Sequence, residues 1–304
     1  MSALITRSNI RNLLLPGLQS VFGNFDAYPD LFKEIYKTHK SERAFENDLE
    51  MQGLGMGQIK NDGGPVALGT MQQGYMTTYT PQWWGYGFQL SRSAIEDNLY
   101  EKEMGDYSAQ LRTSLRALRN SNAMLPFNNA FTNFTVSDGQ PLCSVAHPIA
   151  NGGTLANMFT NPVGLNESAI EDALTTIALW KNLAGINIHT RISKLLVSPG
   201  MAFQASRILN STGRVGTGNN DINVVKHDKL IPNGVVTNPY LTNPGAWFIL
   251  TEMDNGFKFI QRNPLDVRFS VDNLTDVTTV RAVERYVFGC SNWRAVFGSR
   301  GIAA

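Results

Sequence analysis

From Gly63 to Ser91 the chain carries no Asp, Glu, Lys, Arg or His, and this one stretch restricts the fold more than any other. A run so free of charge suggests a membrane span, but Pro65, Gln72, Gln73, Pro81 and Gln82 interrupt it well short of the roughly 18 apolar residues a span needs. Its richness in Gly, Thr and aromatic residues (Tyr75, Tyr79, Trp83, Trp84, Tyr86 and Phe88) favours β-structure. Asn61-Asp62-Gly63-Gly64 just before it is a turn signal. Residues 44–90 therefore read as one long β-hairpin. With so many aromatics and so few charges, both of its faces are suited to meeting other subunits.

Charge is scarce elsewhere too. The 304 residues hold 26 basic and 25 acidic side chains, a net charge of +1. That balance excludes a bulk electrostatic attraction to nucleic acid or to an anionic bilayer. Cys143 and Cys290 are too far apart in sequence to form a metal or redox motif, so a reduced cytoplasmic environment is expected. The apolar run Leu13–Leu15 is too short for a secretion signal and stops at Pro16.

Helical spacing appears in several places. Ser93 and Glu96 have the spacing of a capping box. After an expected break near Gly105, Leu111, Leu115 and Leu118 line one helix face, and Pro126 ends the pattern. Arg112, Arg116 and Arg119 form an adjacent stripe, which reads first as a solvated or ion-paired face and second as a phosphate contact. Ser168 and Glu171 suggest a second capping box, opening a helix with Ile170, Leu174, Ile177 and Leu183 inward. Leu195-Leu196-Val197 reads as a buried strand, and Ser198-Pro199 as the start of a helix burying Ala202, Ala205, Ile208 and Leu209. Thr212–Asn220 reads as a Gly-rich loop, followed by short strands at 235–236, 247–250, 257–260, 267–269 and 278–280. Gly85, Gly87 and Gly105 sit where hinges would be useful.

Chemistry finds little footing. Cys143 and His147 invite a nucleophile–base reading, but no helix start presents the thiol, and a buried thiol near a hydrogen-bonded histidine is the ordinary alternative. The four histidines have no metal-ligand spacing. Gly213–Gly218 lacks the Lys-Ser/Thr pair of a phosphate loop. Neither a cofactor nor an enzymatic activity is expected.

Several segments do resemble one family. Phe88–Asn98, Asp138–Leu142 with Ala146-His147-Pro148, Lys194–Pro199, Val235–Leu241 with Trp247, and Arg281–Gly289 with Asn292–Ser299 are similar, in order, to the major capsid proteins of tailed bacteriophages, particularly Mu-like major head subunits. Asn292, Ala295 and Phe297 stand where that pattern has Asp, Gly and Tyr. The resemblance implies an α+β fold, the Hong Kong 97-type capsid fold. Its parts would be an N-terminal arm (1–43), an extended hairpin loop (44–90), a peripheral domain with a spine helix (91–135), an axial domain (136–250), and peripheral strands with the C-terminus (251–304).

What the resemblance implies for function is assembly. Pentamers and hexamers would close an icosahedral shell around double-stranded DNA, held non-specifically, in a virion assembled in a bacterial host's cytoplasm. The implied partners are a portal protein, a separate scaffolding protein and a decoration protein, with no membrane. Candidate subunit-interface residues are Trp83 and Trp84 as anchors, with Tyr75, Tyr79, Phe88, Arg112, Arg116 and Arg119. A cross-link from Lys60 has no matching partner motif. Three other readings stay open: an encapsulin-like nanocompartment shell, a hydrolase using Cys143 and His147, and a β-rich adhesin or tail component.

Overall fold

The computed structural model describes residues 30–51, 53–69, 73–93, 100–149, 152–213, 221–272 and 274–302. Residues 1–29 of the expected arm, Glu96 of the first capping box and 214–220 of the Gly-rich loop lie outside the described residues.

The scaffold is a long strand pair. β10 (Phe257–Val271) runs antiparallel to β11 (Thr278–Cys290), and the sheet is completed by β1 (Lys37–Lys40) and β4 (Gln82–Leu90) in the order β1-β10-β11-β4. Sequence reading expects short strands at 257–260 and 267–269, but they are one strand. Its register slips between Gln261, Asn263 and Asp266, where Pro264 cannot donate to the ladder; a bulge absorbs the fault and the strand continues. Along β11, Thr278, Val280, Ala282, Glu284 and Tyr286 are buried in strict alternation, so one sheet face is covered.

The cover is α1 (Tyr100–Asn128), whose Leu111 and Leu115 pack with Ala282, Phe88, Leu265 and Val267. It is continuous through Gly105, without the expected break, and passes Pro126 to end two residues later. The ring removes the bond an N–H at 126 would give to the Asn122 carbonyl, and the helix stops within two residues of it. Gly85 and Gly87 are not hinges either. They lie inside β4 against β11, where a Cβ on Gly87 would stand 2.5 Å from the Val280 carbonyl oxygen.

A second sheet has the order β12-β9-β7-β8, from β7 (Ile192–Val197), β8 (Val235–Thr237), β9 (Trp247–Thr251) and β12 (Val296–Ser299). Leu195–Val197 and Trp247–Leu250 are buried without alternation, as in a strand covered on both faces. The C-terminal β12 thus returns to the sheet of the expected axial region. α2 (Glu167–Ala178) starts two residues earlier than the Ser168–Glu171 pattern suggests. Asn166 is its cap, accepting from the Ala169 N–H at 2.7 Å. α3 (Ala202–Asn210) buries Ala205 and Ile208, and a single turn, α4 (Val224–His227), follows.

The core is continuous between the two sheets. Phe127, near the end of α1, stacks on Phe257 with centroids 4.6 Å apart and meets Phe248 edge-on at 5.2 Å. The 3-10 turn Leu31–Glu34 inserts Phe32 between Phe259 and Phe288. Two strand pairs stand apart from both sheets: β2 (Glu46–Met51) with β3 (Gln73–Tyr79), and the short β5 (His147–Pro148) with β6 (Thr154–Leu155). The hairpin is therefore shorter than the expected 44–90, because residues 82–90 belong to the first sheet.

Candidate assembly surface

The β2–β3 hairpin carries its apolar side chains outward. Leu54, Met56, Ile59, Val66 and Leu68 are all exposed, Ile59 to 95% and Leu68 to 94%. Phe45, Met51 and Met76 add to them nearer the root. Contiguous exposed apolar surface on this scale marks a place where a partner sits. The turn is the one the sequence signals: Gly63 has φ +71° and the Gly64 N–H donates to the Asn61 carbonyl at 3.1 Å.

The interface candidates separate into surface and interior. Trp83 is 60% exposed with the Arg285 guanidinium 5.4 Å from its ring, while its neighbour Trp84 turns inward to stack on Tyr286 at 5.9 Å. Strand alternation puts adjacent residues on opposite faces, so the two tryptophans do not act as a pair. Tyr86, not among the candidates, is 63% exposed. Tyr75 is half-buried, and Phe88 is half-buried against Tyr107. Tyr79 is buried: its ring lies so close to Gly289 that no Cβ has room there, leaving little for a neighbour to contact.

The arginine stripe proves to be an internal feature at its C-terminal end. Arg119 is buried and pairs with Glu284 and, at 3.6 Å, with Asp30, which also meets Lys33 at 3.0 Å. Arg112 and Arg116 are half-buried on the same helix. Burial, only partly offset by Arg119, holds the Glu284 carboxyl above the usual glutamate range. Two further ion pairs lie under the hairpin root: Lys258 binds Asp48 and Arg294 binds Glu50. His147 hydrogen-bonds Asp138, nine residues away. Neither ion pair is visible in local spacing.

His147 and Cys143 do not form a nucleophile–base pair. The His147 Nδ1 meets Asp138 Oδ2 at 2.6 Å, its Nε2 meets Asn157 Oδ1 at 3.1 Å, and its ring stacks on Trp293 at 4.4 Å. Both ring nitrogens are thus engaged elsewhere. Cys143 is buried, and burial pushes its thiol far above the usual range, which is the reverse of an activated nucleophile. Among the described residues no group of His, Cys, Asp and Glu is placed to hold a metal ion, and no helix is long and apolar enough to cross a membrane.

Comparison with known proteins agrees with this geometry. Residues 74–299 match the family model of the phage capsid proteins. Among solved structures, the capsid of cyanophage P-SCSP1u superposes with a TM-score of 0.58 at 10% identity, covering 88% of this chain and 86% of that one. The capsid of a native GTA particle gives 0.55 at 12% identity, over 88% and 89% of the two chains. The SrpI encapsulin of Synechococcus elongatus PCC 7942 gives 0.52 at 11% identity, over 90% and 88%. No curated protein matches significantly. With its mixed sheets, spine helix and projecting hairpin on the Hong Kong 97-type plan, the chain belongs to the phage capsid protein family and is a structural subunit of a capsid shell.

Proposed function

We propose that the chain is the major shell subunit of a tailed-phage head, forming pentamers and hexamers that close into an icosahedral shell around double-stranded DNA. The observation that carries this reading is the β2–β3 hairpin, whose exposed apolar loop packs on neither sheet of its own subunit. A neighbouring subunit is the natural cover for such a surface, and Trp83 and Tyr86, on opposite faces of the edge strand β4, offer further exposed aromatic area. Burying uncharged Thr, Gln and aromatic groups strips no ion of its water, which favours repeated contacts between identical copies. Its role is structural, with no catalytic step.

A portal protein, a separate scaffolding protein, a decoration protein and packaged DNA are the partners this role calls for, and the virion is its location. Light scattering with negative-stain imaging of the expressed protein, with and without the scaffolding protein, is the test. Shells support the reading; a small oligomer under every condition refutes it. The solved encapsulin of similar fold favours a second reading, a cellular nanocompartment. Shells filled with a protein cargo and lacking DNA would select it.

A further inference from the structure

Charge, rather than a shared sheet, holds the root of the hairpin. β2 and β3 are hydrogen-bonded to each other and to neither four-stranded sheet. Asp48 and Glu50, two residues apart on β2, project to the same side. Both Asp48 oxygens accept from Lys258 Nζ, at 2.7 and 2.6 Å, and Lys258 also donates to Asn255 Oδ1 at 2.8 Å. The Ser291 hydroxyl donates to Asp48 Oδ2 at 3.1 Å. Glu50 Oε1 accepts from Arg294 Nη1 at 3.0 Å, while Arg294 Nε donates to the Lys181 carbonyl at 2.9 Å. The Arg294 guanidinium lies 4.3 Å from the Trp293 ring. Between the two pairs is a cavity of about 20 Å³ lined by Asp48, Glu50, Tyr75, Ser137, Asn255 and Ser291, room for roughly one water.

The arrangement has a consequence for motion. Both acids stand on the ribbon and both cations stand on the body, so one displacement separates both pairs. The backbone bonds of the ribbon are internal and would survive it. At the root end of β3, Tyr79, which pairs with Glu46, is buried against Gly289 and supplies a fixed point beside the two ion pairs. We propose that Asp48 and Glu50 form a two-point ionic lock that fixes the angle of the β2–β3 ribbon to the body, and that opening the lock lets the ribbon swing as a unit with both sheets intact. The lock belongs to one subunit, so its test needs no shell and stands or falls apart from the assembly reading.

The experiment uses the full chain below its assembling concentration, spin-labelled at Ile59→Cys on the loop and Phe203→Cys on α3. Both sites are exposed, and the two native cysteines are buried. Distances are read by electron–electron double resonance. A single narrow distribution is expected for the native lock, and its loss to a broad one for Asp48→Asn/Glu50→Gln. Asp266→Asn, which breaks an exposed pair with Arg268, should leave the narrow distribution in place. A narrow distribution in the lock variant, or equal broadening in Asp266→Asn, overturns the proposal. Should the lock variant not fold, the swap Asp48→Lys/Lys258→Asp decides. A folded, narrow distribution supports the lock; a broad one, or failure to fold, overturns it.

Discussion

Replacing Arg119 by Met would leave two carboxylates, Glu284 and Asp30, facing a buried site that has lost its guanidinium. The side chains of Glu284, Asp30 and Arg119 are 0%, 6% and 7% exposed, so none can regain its hydration without the fold opening. Removing one partner of such a buried pair costs about 3–5 kcal/mol near neutral pH. For a chain of this size that is a fall in melting temperature of order 10 °C. Part of the penalty is relieved by protonating Glu284, whose carboxyl burial already holds above its ordinary range. The loss should therefore shrink as pH is lowered. A second substitution, Glu284→Leu in the Arg119→Met background, should recover most of the stability, since an apolar pair of similar volume often equals a buried ion pair. Asp30 retains Lys33 at 3.0 Å in that variant. Urea and thermal unfolding of the unassembled subunit, at pH 5 and pH 8, measure all three quantities. A loss below about 1 kcal/mol, or a double variant no better than the single one, would refute the assignment of these charges as an energetically closed group.

Three other outcomes are expected. Raised folded-state values for Glu50 and Glu284 mean the native state holds more protons than the unfolded one above the ordinary value of 4.5, so their contribution is present at acid pH and lost as pH rises through the raised values. Calorimetry across that range should show wild type losing stability relative to Glu284→Gln as pH increases; a relative gain contradicts the sign. Gly87→Ala should destabilise by about 1–3 kcal/mol, because its Cβ has 2.5 Å to the Val280 oxygen, and Gly298→Ala likewise, with Cys143 Sγ at 2.7 Å; unchanged melting in both would show that the strands part freely. Both thiols are buried and shifted upward, so Ellman's reagent should react with neither in the native subunit and with both in urea. Prompt native labelling would mean the core opens.

Much of the local structure is legible from the residues. The Asn61–Gly64 turn, the helix face of Leu111 and Leu115, and the apolar runs at 195–197 and 247–250 all take the form their spacing predicts. These features depend on neighbours within a few residues, and periodicity reports on such neighbours. The segments that resemble phage capsid proteins, read in order, point to the family whose model matches residues 74–299.

Errors arise where a distant partner decides. The segments 257–260 and 267–269 look like separate strands until β11 is there to hold both sides of the bulge at Pro264. Gly85 and Gly87 look like hinges until β11 comes within reach of their missing side chains. Asn166 rather than Ser168 is the cap, accepting from the Ala169 N–H, and the helix starts two residues sooner. Trp83 and Trp84 are equivalent in sequence, and α1 with β11 determines which of them is covered.

The scarcity of charge between Gly63 and Ser91 is a property of sequence alone, and it already marks the hairpin as a surface cheap to desolvate. Where the chain's few charges go is a tertiary matter. Asp48 meets Lys258, Glu50 meets Arg294, and Arg119 meets Glu284 only because the fold brings residues more than 150 positions apart to within bonding distance. Composition sets how many ions the chain has, while packing decides which of them leave water and must find each other.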